Sequence, residues 1–375
     1  MSKKKKAPQP QGAERPLPVE RTPQTLHGRV PDKQMEIKID ESLVRQSPED
    51  TALLARLQDL RKSKVLLFIS GDEVQMRDDV ASNTFELLRE LGKTDRIDMV
   101  LNSRGGQTEI PAKLVPLIRN YCNHFSVIIP YRAHSAATHI ALGANEIVMG
   151  PMSELGPVDP SRTHPLLPKD KDGNPIPISV QDLKHVVDLL KREGPEQSYT
   201  PEALATIFST MFEYVHPLAM GAIEQSYALA KLISQKLLST HMDPEKDKAK
   251  IERIANELSD GFKSHSYQIG WREAKALGLP VLYDDGGVYD TAWALYERVI
   301  QKLNAPPEAA PGSAMATRPI VLMGTERSKR VLFEVSEVTR EGAVTKFRPR
   351  AAKWISSNEL PAPQPPSEPP TVPPP

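Results

Sequence analysis

The chain has one cysteine, Cys122, in 375 residues. That excludes an intramolecular disulfide framework and a cysteine-based metal cluster, and it fits a reducing compartment. Net charge is missing too. The 48 Lys and Arg balance the 48 Asp and Glu, so no global field argues for nucleic acid, and the basic MSKKKK at the start is a local, solvated tail. No apolar run approaches the roughly 18 residues of a membrane span, and MSKKKKAPQPQGAERP is not followed by the apolar core of a signal peptide. A cytoplasmic protein without a membrane span is expected. There is no internal repeat, and no His, Asp and Glu set has metal-ligand spacing, with His216 and His241 falling on separate helices. Neither a metal nor a cofactor is expected.

What the chain has in abundance is proline, 36 residues, concentrated towards its ends. Residues 1–45, rich in Pro, Gln and charge, read as a mostly disordered lead in which only MEIKI suggests a strand. The tail 359–375, within NELPAPQPPSEPPTVPPP, lacks the backbone donors for helix or sheet and reads as extended, with a proline-binding groove as a possible partner. A further Pro- and Ala-rich stretch marks 304–318 as a linker. It separates a main domain, 46–303, from a small β-rich appendage, 319–358, expected to dock on the body or on a neighbouring subunit.

Inside the main domain, apolar runs and helical periodicity alternate. KVLLFIS, RIDMVLNS, FSVIIP and EIVMG read as buried strands, and DDVASNTFELLRELG, PAKLVPLIRNYC and AATHIALGA as the helices between them. Strands alternating with such helices imply parallel crossovers and an α/β sheet covered on both faces. Beyond residue 160 the reading turns helical. SVQDLKHVVDLLKREG opens on Ser179 and Asp182 at capping-box spacing and stops at Gly194, and further helices are expected at about 201–214, 216–240 and 244–260. SYQIGWREAKALGLPVLY then reads as a strand or turn, a short helix and a strand.

Two places in the α/β half carry backbone signals for chemistry. In VLNSRGGQTE a strand ends at Asn102 and Gly105-Gly106 precede a helix. Glycines at the carboxyl end of a parallel strand let backbone N–H groups approach a ligand, and they also serve a tight turn that needs positive φ. No Gly-Lys-Ser/Thr follows, so this is not a P-loop. In VIIPYRAHSAATHIALGA, Ser135 falls between strand and helix, where an ordinary N-cap serine would also sit. Its small neighbours Ala133, Ala136 and Ala137 clear room for a substrate carbonyl. The two units are one short crossover apart, so their donors can converge on one oxygen as in an oxyanion hole.

LNSRGGQ, a strand, a small-Ser-small helix start, then ANEIVMGPMSELGPVDP and SHSYQIGWREAKALGLPV resemble, in that order, the Clp protease and crotonase superfamily. The chain is most similar to the serine dehydrogenase proteinase family of Clp-like serine peptidases, related to signal peptide peptidase A, over about residues 60–300. The resemblance implies a Clp/crotonase-like spiral of ββα units with a helical C-terminal half and disordered ends. It implies an ATP-independent peptidase acting through an acyl-enzyme on a peptide or unfolded protein, assembled as a homo-oligomer. Ser135 would be the nucleophile, Gly106 and Ala136 the oxyanion donors, and Gly105, Gln107 and His134 the substrate-binding residues. Two positions depart from the pattern: Arg104 replaces the usual Pro, and Ala137 stands where Gly is common.

A serine hydroxyl needs a base. Where Clp proteases carry a histidine this chain offers Val158 and Asp159, so a Ser-His-Asp triad is not expected. Relatives of signal peptide peptidase A use a lysine 40 to 50 residues after the serine, and Lys184 fits, with Lys191, Lys169 and Lys171 as weaker candidates. Desolvation would lower its pKa enough to accept a proton. Of the histidines, His134 lines the pocket and His139 packs behind it. His185 lies about 100° round the helix from Lys184, and His265 holds a loop. The alternatives are a non-catalytic Clp-fold oligomeric scaffold or peptide-binding protein, and a crotonase-type acyl-CoA enzyme.

Overall fold

The computed structural model describes residues 39–361 except 163, 172, 175, 177, 180–181, 183–184, 187–188, 190–199, 310–312 and 342–343. Residues 35–38 of the expected strand in MEIKI, the proline-rich tail from 362, Lys184 and Lys191 lie outside the described residues. The described chain divides into a large unit, Asp40–Ala305 with Pro319–Phe333 and residues from Trp354, and a small one containing Pro306–Arg318 and Glu334–Lys353.

The large unit is built on parallel strands. β1 (Lys64–Ser70), β2 (Thr94–Asn102), β3 (Cys122–Ile129) and β5 (Glu146–Met149) follow the apolar runs of the sequence. The two-residue β4 (Arg132–Ala133), β6 (Glu154–Leu155), β7 (Ser161–Arg162), β8 (Ile178–Ser179) and β9 (Ile269–Gly270) are too short for any pattern to announce. β10 (Val281–Tyr283) completes the parallel set, and one register row crosses it as Leu67, Val100, Ile128, Val148 and Leu282. β1 is apolar from Val65 to Ile69 and buried from Val65 to Ser70, as a strand covered on both faces must be. On the other side of β1, the end of β12 (Met315–Gly324) pairs antiparallel, with Ser70 opposite Val321. The stretch read as an appendage from residue 319 therefore begins as a strand of the main sheet.

Helices Asp78–Leu91 and Ile110–Arg119 make the first crossovers, the former ending at Gly92 with φ +70°. Helix Ala136–Leu142 follows β4 and every residue in it is buried. Helices Pro201–Tyr214, Pro217–Leu238 and Lys248–Asn256 match the expected helical half, the last running into a π-helical turn at Glu257–Gly261. The Ser179–Asp182 capping box forms in both directions: Asp182 N–H donates to Ser179 Oγ at 3.1 Å and Ser179 N–H to Asp182 Oδ2 at 2.8 Å. Before β1, one helical turn at Glu41–Val44 and helix Pro48–Arg61 precede the sheet, with Val44 fully buried. The core gathers Leu66, Phe68, Met99, Phe125 and Ile147 from the sheet with Leu88, Leu114, Ile140 and Ile254 from the helices.

The small unit contains β11 (Glu308–Ala309), paired antiparallel with Thr317 and Ala316. It also holds the outer parts of β13 (Lys329–Glu341) and β14 (Val344–Ser356), with Arg318 Nε bonded to Glu334 Oε1 at 2.9 Å.

Candidate active site

The carboxyl end of β2 and the strand that feeds Ser135 are laced together. Ser103 N–H donates to Arg132 O at 3.0 Å, His134 N–H donates to Ser103 O at 3.0 Å, and Arg132 N–H donates to the Asn102 side chain at 3.2 Å. The lacing places Gly105 and Gly106 beside the Ser135 turn. Gly105 has φ +101° and Gly106 φ +152°, both in the region that favours glycine.

Each glycine is also required by what touches it. A Cβ on Gly105 would lie 2.7 Å from His134 O and 2.9 Å from both Ala136 N and Ser135 Cβ. A Cβ on Gly106 would lie 2.2 Å from Met76 N. Met76 clamps the pair, its N–H donating to Gly105 O at 2.7 Å and its carbonyl accepting from Gln107 N–H at 2.9 Å. Gln107 thus has its backbone donor occupied and its side chain exposed.

Ser135 has φ +51° and ψ −118°, strained for a residue with a side chain. It stands at the N-cap of Ala136–Leu142 without making a side-chain cap bond. An ordinary capping serine would spend its hydroxyl on the helix. This one is half-buried, and among the described residues its hydroxyl has no hydrogen-bond partner. The N–H of Ala136 opens the helix, and among the described residues neither it nor the N–H of Gly106 meets an acceptor. Two backbone donors and a hydroxyl are therefore grouped without a partner among the described residues.

The turn is braced from below. Thr138 Oγ1 lies 2.7 Å from Ala133 O and 2.8 Å from Gly156 O, and accepts from Gly156 N–H at 3.2 Å. Ala137 is fully buried in the main core, so its methyl fills the interior. Arg104, in the loop after β2, is half-exposed, its Nε 3.6 Å from Asp72, which also meets Arg132 Nη1 at 3.3 Å.

The histidines divide by environment. His134 turns its ring onto Gly156 and brings Nε2 to 3.0 Å from Glu154 Oε1. Burial first, then the charges of Arg132, Arg104 and His265, lower its pKa to about 4, so the contact with Glu154 at neutral pH is not an ion pair. Burial conversely raises Glu154. His139 is buried behind Ser135, donates from Nε2 to Ala230 O at 3.1 Å and is lowered to about 4 by that burial. His216 caps a helix by accepting from Leu218 N–H at 3.2 Å. His265 Nδ1 lies 3.1 Å from Asp159 Oδ1, and this hydrogen bond raises its pKa against the opposing effect of burial.

Of the expected site residues, the structure groups Gly105, Gly106, His134, Ser135 and Ala136. Lys184 is outside the described residues. Asp182, two residues before it, is near enough for its charge to act on His265, whereas Lys169 and Lys171 are exposed. No group of three or more His, Cys, Asp or Glu able to hold a metal occurs among the described residues. Sequence reading missed the Met76 clamp and the pairing of Asp159 with His265. The signal for the second lies in β6 and β9. Their antiparallel register, Leu155 opposite Ile269, continued by four residues sets Asp159 opposite His265.

No family model matches the chain. Two uncharacterized proteins of Methanocaldococcus jannaschii are 24% identical to it over 211 and 225 residues, 56% and 59% of this chain. The chain spans 60% and 64% of the length of those two relatives. Among solved structures it is similar to a ClpP1 mutant from Listeria monocytogenes, with 13% identity over 63% of this chain and 98% of that one at a TM-score of 0.35. It is also similar to a mutant of the 1510-N membrane-bound stomatin-specific protease, with 14% identity over 65% and 86% at 0.33. A second mutant of that protease, in complex with a substrate peptide, has 16% identity over 60% and 76% at 0.32. At such scores these overlays lend the site no weight, and its reading rests on its own geometry.

Proposed function

We propose that the chain is a serine peptidase of the Clp-like kind, akin to the serine dehydrogenase proteinases and to signal peptide peptidase A, acting as a homo-oligomer on a peptide or unfolded protein. The observation that carries the reading is Ser135: a serine in a strained strand-to-helix turn, with no cap bond, under which Gly105 is pressed. Strain of this kind persists where surrounding structure imposes it and aims a nucleophile out of its turn.

In this reading Ser135 Oγ attacks the peptide carbonyl carbon while its proton passes to Lys184 Nζ. The oxygen that gains charge accepts from the N–H groups of Gly106 and Ala136, donors fixed in advance by the Met76 clamp and the helix start. Collapse expels the amine and leaves an acyl-enzyme, which water hydrolyses. Arg104 and Asp72 line the approach, and Gly105 owes its place to packing.

The test is digestion of casein by the purified protein, by Ser135→Ala and by Lys184→Ala, after all three are shown to have the same oligomeric size. Cleavage by the wild type with silence in both variants supports the dyad. Cleavage by Ser135→Ala at the wild-type rate overturns Ser135 as the nucleophile. A wild type that neither cleaves nor takes up a fluorophosphonate at Ser135 favours the non-catalytic scaffold.

A further inference from the structure

The three-stranded sheet β4-β6-β9 gathers more ionisable groups than the dyad uses. β4 and β6 run parallel, and β9 runs against β6. Ser135 follows β4, Asp159 follows β6, and His265 precedes β9, so the directions of the strands bring all three to the same end of this small sheet. The contacts agree. The His134 ring lies on Gly156, three residues ahead of Asp159, and the charge of His265 reaches that ring.

Asp159 is 2% exposed, and its Oδ2 has no hydrogen-bond partner among the described residues. A buried carboxylate is costly unless a charge or donor answers it. Its answer is His265, whose side chain remains 45% exposed. Because Nδ1 faces Asp159 Oδ1 at 3.1 Å, Nε2 is the nitrogen left for chemistry. The groups facing His265 are Asp159 first, Asp182 from the capping box with Ser179, and the ring of His134 from the Ser135 turn. Two carboxylates beside it and a neutral His134 keep a larger share of the ring protonated near neutrality than an ordinary histidine has. A protonated imidazole is an acid.

We propose that His265, oriented by Asp159, is a catalytic residue of the Ser135 site, protonating the amine that leaves and later receiving the proton of the attacking water. The proposal rests on Ser135 being the nucleophile. The protons balance over one turnover. Ser135 Oγ bonds to the carbonyl carbon and its proton goes to Lys184. The C–N bond breaks as His265 Nε2 gives its proton to the leaving nitrogen. Water then bonds to the acyl carbon and its proton goes to the now neutral His265. The ester C–O bond breaks as Lys184 returns its proton to Ser135. No other reactant is needed.

The experiment compares acylation of wild type, His265→Gln, Asp159→Asn and Ser135→Ala by nitrophenyl esters and by anilides carrying the same acyl group, at equal oligomeric size and thermal midpoint. An acid at the leaving nitrogen matters more as the leaving group becomes more basic. For His265→Gln the expected loss grows from about threefold or less in the nitrophenyl ester burst to about a hundredfold or more for the anilide. Asp159→Asn should move the alkaline limb of kcat/KM for the anilide about one pH unit towards acid, because removing the carboxylate lets the ring deprotonate earlier. Equal losses on both substrates would overturn the role of His265 as the acid at the leaving nitrogen, and no loss on either would remove it from the reaction. A burst that survives in Ser135→Ala would sink the nucleophile assignment, whatever His265 does.

Discussion

Ser135 is costly to the fold in a way that a substitution can expose. Its φ of +51° with ψ of −118° is available to glycine and unfavourable for any residue with a Cβ. Ser135→Gly should therefore be more stable than Ser135→Ala by about 1 kcal/mol in urea denaturation, with both inactive. Equal stabilities would show that the turn carries no strain. Behind it, His139 makes a different demand. Burial holds its imidazole at about 4 in the fold, whereas in the unfolded chain it protonates near the ordinary value of about 6.5. As pH falls the unfolded chain takes the proton first, so this contribution to stability is complete above about pH 7 and is lost from there towards pH 4. Between pH 6.5 and 5 the loss should reach about 2 kcal/mol, and His139→Gln should remove most of it while keeping a donor for Ala230 O. His134, also held at about 4, adds a loss of the same sign.

At the scale of elements, the parts that could be read in advance are those long enough to show a period. β1, β2, β3 and β5 and the helices Asp78–Leu91, Ile110–Arg119 and Pro217–Leu238 announce themselves through apolar spacing and stop signals. Helix Pro48–Arg61 does not, because its apolar residues Ala52, Leu53, Leu54, Ala55, Leu57 and Leu60 wrap its circumference and only Leu54 and Leu57 are buried among them. Its start at Ser47, whose side chain accepts from Asp50 N–H, was the available signal. β4, β6 and β9 are two residues each, below the length at which alternation exists, yet they bring Ser135, Asp159 and His265 to one end. So the glycine pair and Ser135 were legible as a candidate site, while the pairing of His265 with Asp159 required the sheet. Thr138 joins these short pieces from within helix Ala136–Leu142. Thr138→Val keeps the shape and removes a buried hydroxyl that serves Ala133 and Gly156, which should cost about 1–3 kcal/mol in urea denaturation and lower the acylation rate.

Across the large unit, charge is stored away from the Ser135 turn. One register row near the amino ends of the strands runs Val65, Asp98, Ser126, Glu146. Asp98, fully buried, accepts from Arg61 Nε at 2.7 Å and from Arg96 Nε at 2.9 Å, and Arg96 reaches on to Ser126 at 2.8 Å and Glu146 at 2.7 Å. Arg61, which ends helix Pro48–Arg61, also bonds to Glu146. Helix, β2, β3 and β5 are thereby joined by groups that are costly to bury singly and tolerable together. Asp98→Ala leaves two guanidinium groups facing a vacant acceptor, and a loss of about 3–5 kcal/mol is expected in denaturant unfolding. The Ser135 turn lies at the opposite, carboxyl ends of the strands. At temperatures where the variant remains folded, kcat should stay close to the wild-type value.

The seating of Gly105 beneath Ser135 also limits how this protein can change. The loop after β2 and the turn after β4 share one small volume, filled on one side by a hydrogen atom and on the other by a strained backbone. A side chain gained at 105 has to be matched by a retreat at 134–136, and a relaxed serine turn would remove the reason for a glycine at 105. The geometry ties changes in one segment to changes in the other. A chimaera joined between them, with one loop from this chain and the other from a distant relative, mixes two halves of a lock cut for different keys, even when both parents are active.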